Sequence, residues 1–348
     1  KELERFTVNE NDLIISCSGT LGKVSIINKD DPKGIISQAL LILRPNIEII
    51  DTKYLYFFLS SPKGFQSIVS VSSGSVQTNI AKRSIIENID VLLPSITNQI
   101  AIARILSSLD DKIALNNRIN KKLEEIGQAL FKHWFIDFNF PGFNGELVDE
   151  IPKGWKKYTI TELLDTVSVT HKFPKGKAIF LNTSDILDGI FLHENYSDVS
   201  ELPGQAKKTI RKGDILFSEI RPANKRYAYV DFEADDYVVS TKLMVLRSKG
   251  IANSLVLYFY LKRPEVLSNL QLLAESRSGT FPQITYSELS KIEMNIPDEK
   301  TLSQYNEVIH SIFSKIRINQ NENSSLIRIR DTLLPKLMSG EISVKDIC

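Results

Sequence analysis

The chain has 348 residues, 42% of them apolar and 24% charged, the profile of an ordinary soluble protein with material for two or more domains. Lysine and arginine total 43 against 42 aspartate and glutamate, so any nucleic-acid surface must come from local clustering rather than from a basic whole. No run of 18 apolar residues and no signal-like N-terminus occur, so the expectation is a cytoplasmic protein with no membrane partner.

Cys17 and Cys348 lie at opposite ends, which suggests neither a disulfide framework nor a thiolate metal site. His133, His171, His193 and His310 show no ligand spacing, and no metal site is expected. The chain opens into NENDLIISCSGTLGKVSIIN, in which Asp12 to Ser16 and Val24 to Asn28 read as strands joined by a Ser/Gly/Thr-rich turn. LLILRP at Leu40 to Pro45 reads as a buried strand ending in Arg44, and LYFFLSSP at Leu55 to Pro62 as a helix stopped by proline. A polar loop, Ser72 to Ile85, and a short strand, Asn88 to Pro94, follow.

From Pro94 to Phe135 the periodicity is helical. Ile102, Ile105, Leu109, Ile113, Asn116, Ile119, Leu123, Ile126 and Leu130 recur at steps of three and four, which lines one stripe of a helix. At ~1.5 Å per residue such a helix is about 60 Å long, far beyond the mean globular helix, and it needs a partner of equal length.

The partner is in the same chain. A shift of 203 positions puts Pro297 under Pro94, Ile316 under Ile113, Asn319 under Asn116, Leu326 under Leu123, Ile329 under Ile126 and Leu333 under Leu130. A polar residue at the same stripe position in both copies suits a coiled coil, where a buried Asn fixes register. The repeat extends upstream: GDILFSEIRPANKRYAYVD at Gly213 to Asp231 echoes the first hairpin, LMVLRS at Leu243 to Ser248 echoes LLILRP, LYFYLKRP at Leu257 to Pro264 echoes LYFFLSSP, RSGTFPQITYSEL at Arg277 to Leu289 echoes the polar loop, and KIEMNIP at Lys291 to Pro297 echoes the short strand.

The fold class expected is therefore mixed α/β (α+β), with two domains in tandem, each followed by a long helix, and with the two helices pairing as an antiparallel coiled coil that relates the domains by a pseudo-twofold axis. The divisions are 1–93, a first domain; 94–140, the central spacer helix; 141–150, a Gly/Asn-rich linker; 151–297, a second domain; and 298–348, the C-terminal spacer helix and tail. IPKGWKK at Ile151 to Lys157 opens about fifty residues that the first copy lacks, since Lys1 maps near Gly204, and the first domain is expected to be N-terminally truncated.

Were the polar loops to meet a nucleic acid, side-chain chemistry would single out the contacts, with Arg and Lys suiting guanine, Asn and Gln suiting adenine, and Lys, Arg, Ser and Thr suiting phosphate. Gln205 to Arg226 holds seven basic residues, Lys207, Lys208, Arg211, Lys212, Arg221, Lys225 and Arg226, against Asp214 and Glu219. Its loop RPANKR, with Arg221, Asn224, Lys225 and Arg226, is the first candidate for groove contact, or else a solvated basic hairpin. Arg277, Thr280 and Gln283 form a second candidate, and Ser73, Ser75, Gln77, Asn79, Lys82 and Arg83 are their counterparts in the first domain; equally, these polar residues could serve only the turn backbone. Lys23, after the SGTLG turn, is a weaker candidate, since Gly19 and Gly22 are not followed by the Lys-Ser/Thr step of a phosphate loop. Phe131, Trp134, Phe135 and Phe138 make an aromatic cluster that either docks a partner subunit or packs against the adjoining domain.

Two α/β domains each followed by a long helix, with IPKGW opening a domain, LPSITNQIAIARILSSLDDKI opening one helix and LLPKLMSGEI at Leu333 to Ile342 closing the other, resemble the specificity subunit of type I restriction-modification enzymes. The resemblance covers nearly the whole chain. It implies a non-catalytic subunit whose two target-recognition domains each read half of a bipartite, asymmetric double-stranded DNA sequence. It further implies docking of two adenine methyltransferase (modification) subunits, which restriction subunits can join, with S-adenosylmethionine, ATP and Mg held by those partners and no cofactor on this chain.

The residues agree with a non-catalytic part. No two prolines are adjacent, so the Asn/Asp-Pro-Pro-aromatic motif of adenine methyltransferases is absent, as are a GxGxxG cofactor turn and a hydrolase-like carboxylate cluster. A rod of about 60 Å spans roughly 17–18 base pairs, the scale of two half-sites. The competing class is a coiled-coil scaffold that binds no DNA, which steep salt dependence of duplex binding would exclude.

Overall fold

A computed structural model of the chain describes residues 4–18, 20–69 and 86–346. The fold divides into two compact units, Lys1–Arg118 with Asn319–Cys348, and Ile119–Ile318. Both long segments are single helices: a central helix, Ile96–Phe135, and a C-terminal helix, Glu299–Ser339. Each helix gives one part to each unit.

In the first unit, strand Leu13–Ser16 lies between Val24–Ile26 and Leu40–Leu43, antiparallel to both. Asn11, at φ 68°, makes the left-handed step into the hairpin, a conformation that Asn tolerates better than most residues. Helix Thr52–Ser60 is capped by Asp51, whose carboxylate accepts from the Tyr54 amide at 2.8 Å. The following proline ends that helix and opens another, Pro62–Val69, capped by the Ser61 hydroxyl. The two helices meet at Gly64, where an added Cβ would lie 2.0 Å from the Phe58 carbonyl oxygen, so only glycine fits. The core joins Tyr54, Phe57 and Phe58 to Leu106 of the central helix and to Leu337 and Met338 of the C-terminal helix. LLPKLM is thus a core motif of this unit.

The second unit repeats the sheet, with Ile215–Ser218 between Tyr227–Tyr229 and Leu243–Ser248, and adds Leu164–Val167 at its edge. A second sheet runs in the order Tyr196–Asp198, Lys177–Leu181, Tyr237–Ser240, Ala206–Thr209, its middle pair parallel. Helices Ser254–Leu261, capped by Asn253, and Pro264–Arg277 repeat the helix pair of the first unit.

Within each unit the two long helices run antiparallel. In the first, Arg330 reaches Asp110 at 2.8 Å, and six residues further along the central helix Asn116 donates to Asn323 at 2.9 Å and Glu322 at 2.8 Å, while Asn323 donates to Asn117 at 2.8 Å. The buried Asn116 therefore engages Asn323, one turn beyond its repeat-mate Asn319. In the second unit, Phe135 packs on Tyr305 with ring centroids 4.8 Å apart.

Three expectations need correction. The stripe does not pass through Ile126, which is 54% exposed, nor through its repeat-mate Ile329. It shifts by one residue to Gly127, where a Cβ would lie 2.6 Å from Phe259, so the missing side chain admits that ring. Residues 88–94 form no strand, whereas the matching Glu293–Ile296 pairs with Lys156–Thr159. The 141–150 linker joins the second domain through a short hairpin, Leu147–Val148 pairing with Ile151–Pro152 across a turn with Asp149 and Glu150 both at positive φ, which adds to the expected division without overturning it. Finally, Phe131, Trp134 and Phe135 are buried and Phe138 is half-buried, packed with Trp155 and Tyr305 in the core of the second unit. They present no docking surface, since an aromatic row at helical spacing beside an apolar sheet is covered by its own chain.

Candidate nucleic-acid interface

The candidate surface in the second unit begins where strand Ile215–Ser218 ends. The Ser218 amide donates to the Arg226 carbonyl at 2.9 Å, closing a loop over Glu219 to Lys225. Both ends of the short helical turn Pro222–Asn224 are left-handed, at Arg221 (φ 43°) and Lys225 (φ 54°). For two non-glycine residues this costs free energy that the surrounding hydrogen bonds must offset. The loop is tied down accordingly: the Ala223 amide donates to the Gln271 side chain at 3.1 Å, and Arg226 donates to the carbonyls of Ile186 at 2.9 Å and Ser184 at 3.1 Å.

The second candidate loop is built onto the first. The Arg221 amide donates to the Pro282 carbonyl at 3.1 Å, the Ile284 amide to the Glu219 carbonyl at 2.9 Å, and an isolated bridge pairs Ile220 with Gln283. The Glu219 amide in turn donates to the Lys242 carbonyl at 3.1 Å. Arg221, Thr280 and Gln283, some sixty residues apart in sequence, therefore share one surface, along with Lys242, which lies 3.4 Å from the Gln283 side-chain oxygen and 3.6 Å from Glu219.

Not every candidate side chain is available to a ligand. Arg226 points inward and holds the loop. Arg277 is paired with Glu288 at 2.5 Å, and Lys225 lies 3.7 Å from Asp188. Of the seven clustered basic residues, Lys208 buries its ammonium against the carbonyls of Leu243 at 2.8 Å and Thr241 at 2.9 Å, and burial pushes its pKa down. Arg211 and Lys212 flank the far end of strand Ile215–Ser218, with Lys212 near Glu233, so the run is not one patch. Arg221, Asn224 and Thr280 are exposed, and Gln283 is half-buried. Sequence reading missed Lys242, which precedes a buried strand, and Phe281, an aromatic inside a turn-rich loop, the one signal that could have singled it out.

In the first unit the hairpin recurs. The Ser16 amide donates to the Lys23 carbonyl at 2.9 Å and the Cys17 amide to the Ala39 carbonyl at 2.7 Å, matching Ser218–Arg226 and Glu219–Lys242. Lys23 thus holds the place of Arg226, but its side chain is exposed. Ser73, Ser75, Gln77, Asn79, Lys82 and Arg83 lie outside the described residues. Among the described residues no group of three or more His, Cys, Asp or Glu side chains converges as metal ligands, and no helix is long and apolar enough to cross a membrane.

Comparison with known proteins bears on the same two regions. The family model for the type I restriction modification DNA specificity domain matches residues 1–125 and 152–328. The specificity subunit of the type I restriction enzyme HindI from Haemophilus influenzae is 42% identical over 181 residues, a match that covers 51% of this chain and 39% of that protein. The MjaIX specificity subunit of Methanocaldococcus jannaschii is 26% identical over 312 residues, covering 85% and 70%. A crystal structure of the type I restriction-modification S subunit from M. genitalium shares the fold at a TM-score of 0.54 and 17% identity, over 96% of this chain and 84% of that one. The two matched stretches contain the two copies of the hairpin and together account for well over half of the sequence, so this chain belongs to the type I restriction-modification DNA specificity family.

Proposed function

We propose that the chain is the DNA-recognition subunit of a type I restriction-modification enzyme, a specificity component and not a catalyst. Each unit reads one half of a bipartite duplex target. One observation carries this reading: a single chain builds the same hairpin frame twice and mounts different loops on it, SCSGTLGK at Ser16 to Lys23 and SEIRPANKR at Ser218 to Arg226. Equal frames give equal approach to the duplex, and unequal loops give unequal half-sites, so the target is asymmetric. Around Arg221, a side chain with paired donors stands beside Gln283, which supplies both a donor and an acceptor, the combination that reads base edges in the major groove.

The partners that go with this role are two methyltransferase subunits and, where the system includes them, restriction subunits. S-adenosylmethionine, ATP and Mg belong to those partners, and the assembly works on DNA in the cytoplasm. The test is a map of adenine methylation in a genome expressing this chain with its modification subunit. A two-part motif with unlike halves is expected; methylation without a motif, or duplex binding that ignores sequence at moderate salt, overturns the proposal.

A further inference from the structure

Phe281 is the most exposed large apolar side chain of the second unit, at 68%, and it lies in the second of the two loops. Leaving a ring of this size in water forfeits the stabilisation that burial would provide. Its backbone is held on both sides. The Phe281 amide donates to the Ser278 hydroxyl at 3.1 Å, Arg221 donates through its guanidinium to the Thr280 carbonyl at 3.4 Å and through its amide to the Pro282 carbonyl at 3.1 Å, and the next residue, Pro282, is buried. The exposed ring is therefore carried on a backbone that hydrogen bonds hold from both sides.

We propose that Phe281 is a wedge that enters the base stack of the half-site read by the second unit and unstacks one base step. This rests on the DNA-reading function proposed above. The charge beside the ring points to the occupant: Arg221 reaches the Thr280 carbonyl just before Phe281, and Lys242, next to Glu219, lies 3.4 Å from the Gln283 side-chain oxygen just after it, and cations beside a lone exposed ring suit the phosphates and bases of a duplex better than an apolar groove of a protein. Apolar wedges of this kind part adjacent base pairs at a cost that is least at pyrimidine–purine steps, and so select sequence through deformability as well as through hydrogen bonds. The polar loop of the first copy, Ser72 to Ile85, contains no aromatic residue, so the distortion belongs to one half-site only.

The test uses the full chain assembled with its modification subunits and a duplex bearing the target found by methylation mapping. Single 2-aminopurine substitutions are placed through both half-sites, leaving out the methylated adenines. A several-fold rise in fluorescence is expected at one step of one half-site, lost in Phe281→Ala and kept in Phe281→Trp. Affinity for the target should fall about tenfold in Phe281→Ala, with binding to scrambled duplex unchanged. A rise that survives Phe281→Ala, or no rise at any step while the target is still preferred over scrambled DNA, defeats the wedge alone. So does a Phe281→Ala chain that binds DNA normally but fails to assemble with the modification subunits, since the ring would then be a protein contact. Failure of the unaltered complex to prefer the mapped target defeats both the wedge and the DNA-reading role.

Discussion

Arg247 grips Asp214 with two hydrogen bonds, Nε to Oδ1 at 2.7 Å and a terminal nitrogen to Oδ2 at 2.8 Å, and the Asp214 side chain is fully buried. The same bond is made in the first unit, where Arg44 Nε donates to Asp12 at 3.0 Å. Even the supporting contact recurs, since Asp214 accepts from the Arg211 amide at 2.9 Å and Asp12 from the Asn9 amide at 2.7 Å. Each pair ties the start of a hairpin to the end of the neighbouring strand and so fixes the base on which the reading loop stands.

The two copies differ in exposure, and stability should differ with it. Arg247 is mostly buried, whereas Arg44 is 51% exposed. Removing one partner of a buried pair strands the other charge, so Asp214→Ala should destabilise the second unit by about 3–5 kcal/mol. Asp12→Ala should cost about 1–2 kcal/mol in the first unit, because water can take up the freed guanidinium and only the Asn9 amide loses a partner. Urea midpoints of the two variants against the parent chain decide the ranking; equal losses would show that the pairs are equally sheltered.

The Asn116–Asn323 layer should govern register more than stability. Asn116→Ala leaves the buried oxygen of Asn323 without its donor and should cost about 1–3 kcal/mol. Asn116→Leu combined with Asn323→Leu should raise the melting temperature while allowing other pairings of the helices, as apolar replacement of buried polar layers does in coiled coils. Light scattering checks this: the double variant is expected to populate species of higher mass, and a single unchanged mass would remove the register role.

How much of this was legible depended on distance along the chain. The long helices, the hairpins and the repeat are local patterns, and Leu13–Ser16, Ile215–Ser218 and both rods follow from them. What joins Asp12 to Arg44, or Arg221 to Pro282, is pairing across tens of residues, which no local period records. Gly127 shows the limit in one residue: the stripe passes through a position with no side chain because Phe259, over a hundred residues away, fills the space. The aromatic row Phe131 to Phe138 was legible as a row, but what covers it is tertiary information. Likewise, residue type identifies Arg226 as a donor without telling whether it faces DNA or the carbonyls of Ser184 and Ile186.

Stability of the second unit should fall steeply at alkaline pH. Burial pushes Tyr229 and Tyr237 up to about 12, from an ordinary value near 10. A folded state that keeps these protons while the unfolded chain releases them loses stability as pH rises from about 10 to about 12, and is unaffected below that window. Tyrosinate absorbance during a pH titration should show a late class of tyrosines that ionises together with unfolding. Tyr229→Phe should move the alkaline midpoint upward; a midpoint that stays put would mean the hydroxyl is already solvated in the fold.

Arg221 and Arg226 should separate recognition from support. Arg221 is exposed, spends only one guanidinium contact on the Thr280 carbonyl and keeps its other donors for a ligand. Arg221→Ala should therefore weaken target binding by about 1–3 kcal/mol, relax the preference at one position of one half-site, and leave the melting temperature nearly unchanged. Arg226 gives two donors to carbonyls of its own unit, so Arg226→Ala should loosen the whole loop, lower thermal stability, and weaken binding to every sequence variant of that half-site alike. Arg226→Lys should rescue little, because a point charge on a flexible stem cannot reproduce the paired donors of a guanidinium. Methylation profiles across a library of single-base target variants, read beside melting curves, distinguish the two roles. If Arg221→Ala shifted stability as much as Arg226→Ala while leaving base preference intact, Arg221 would be a second loop anchor, and the reading contact would have to be sought at Gln283 and Lys242.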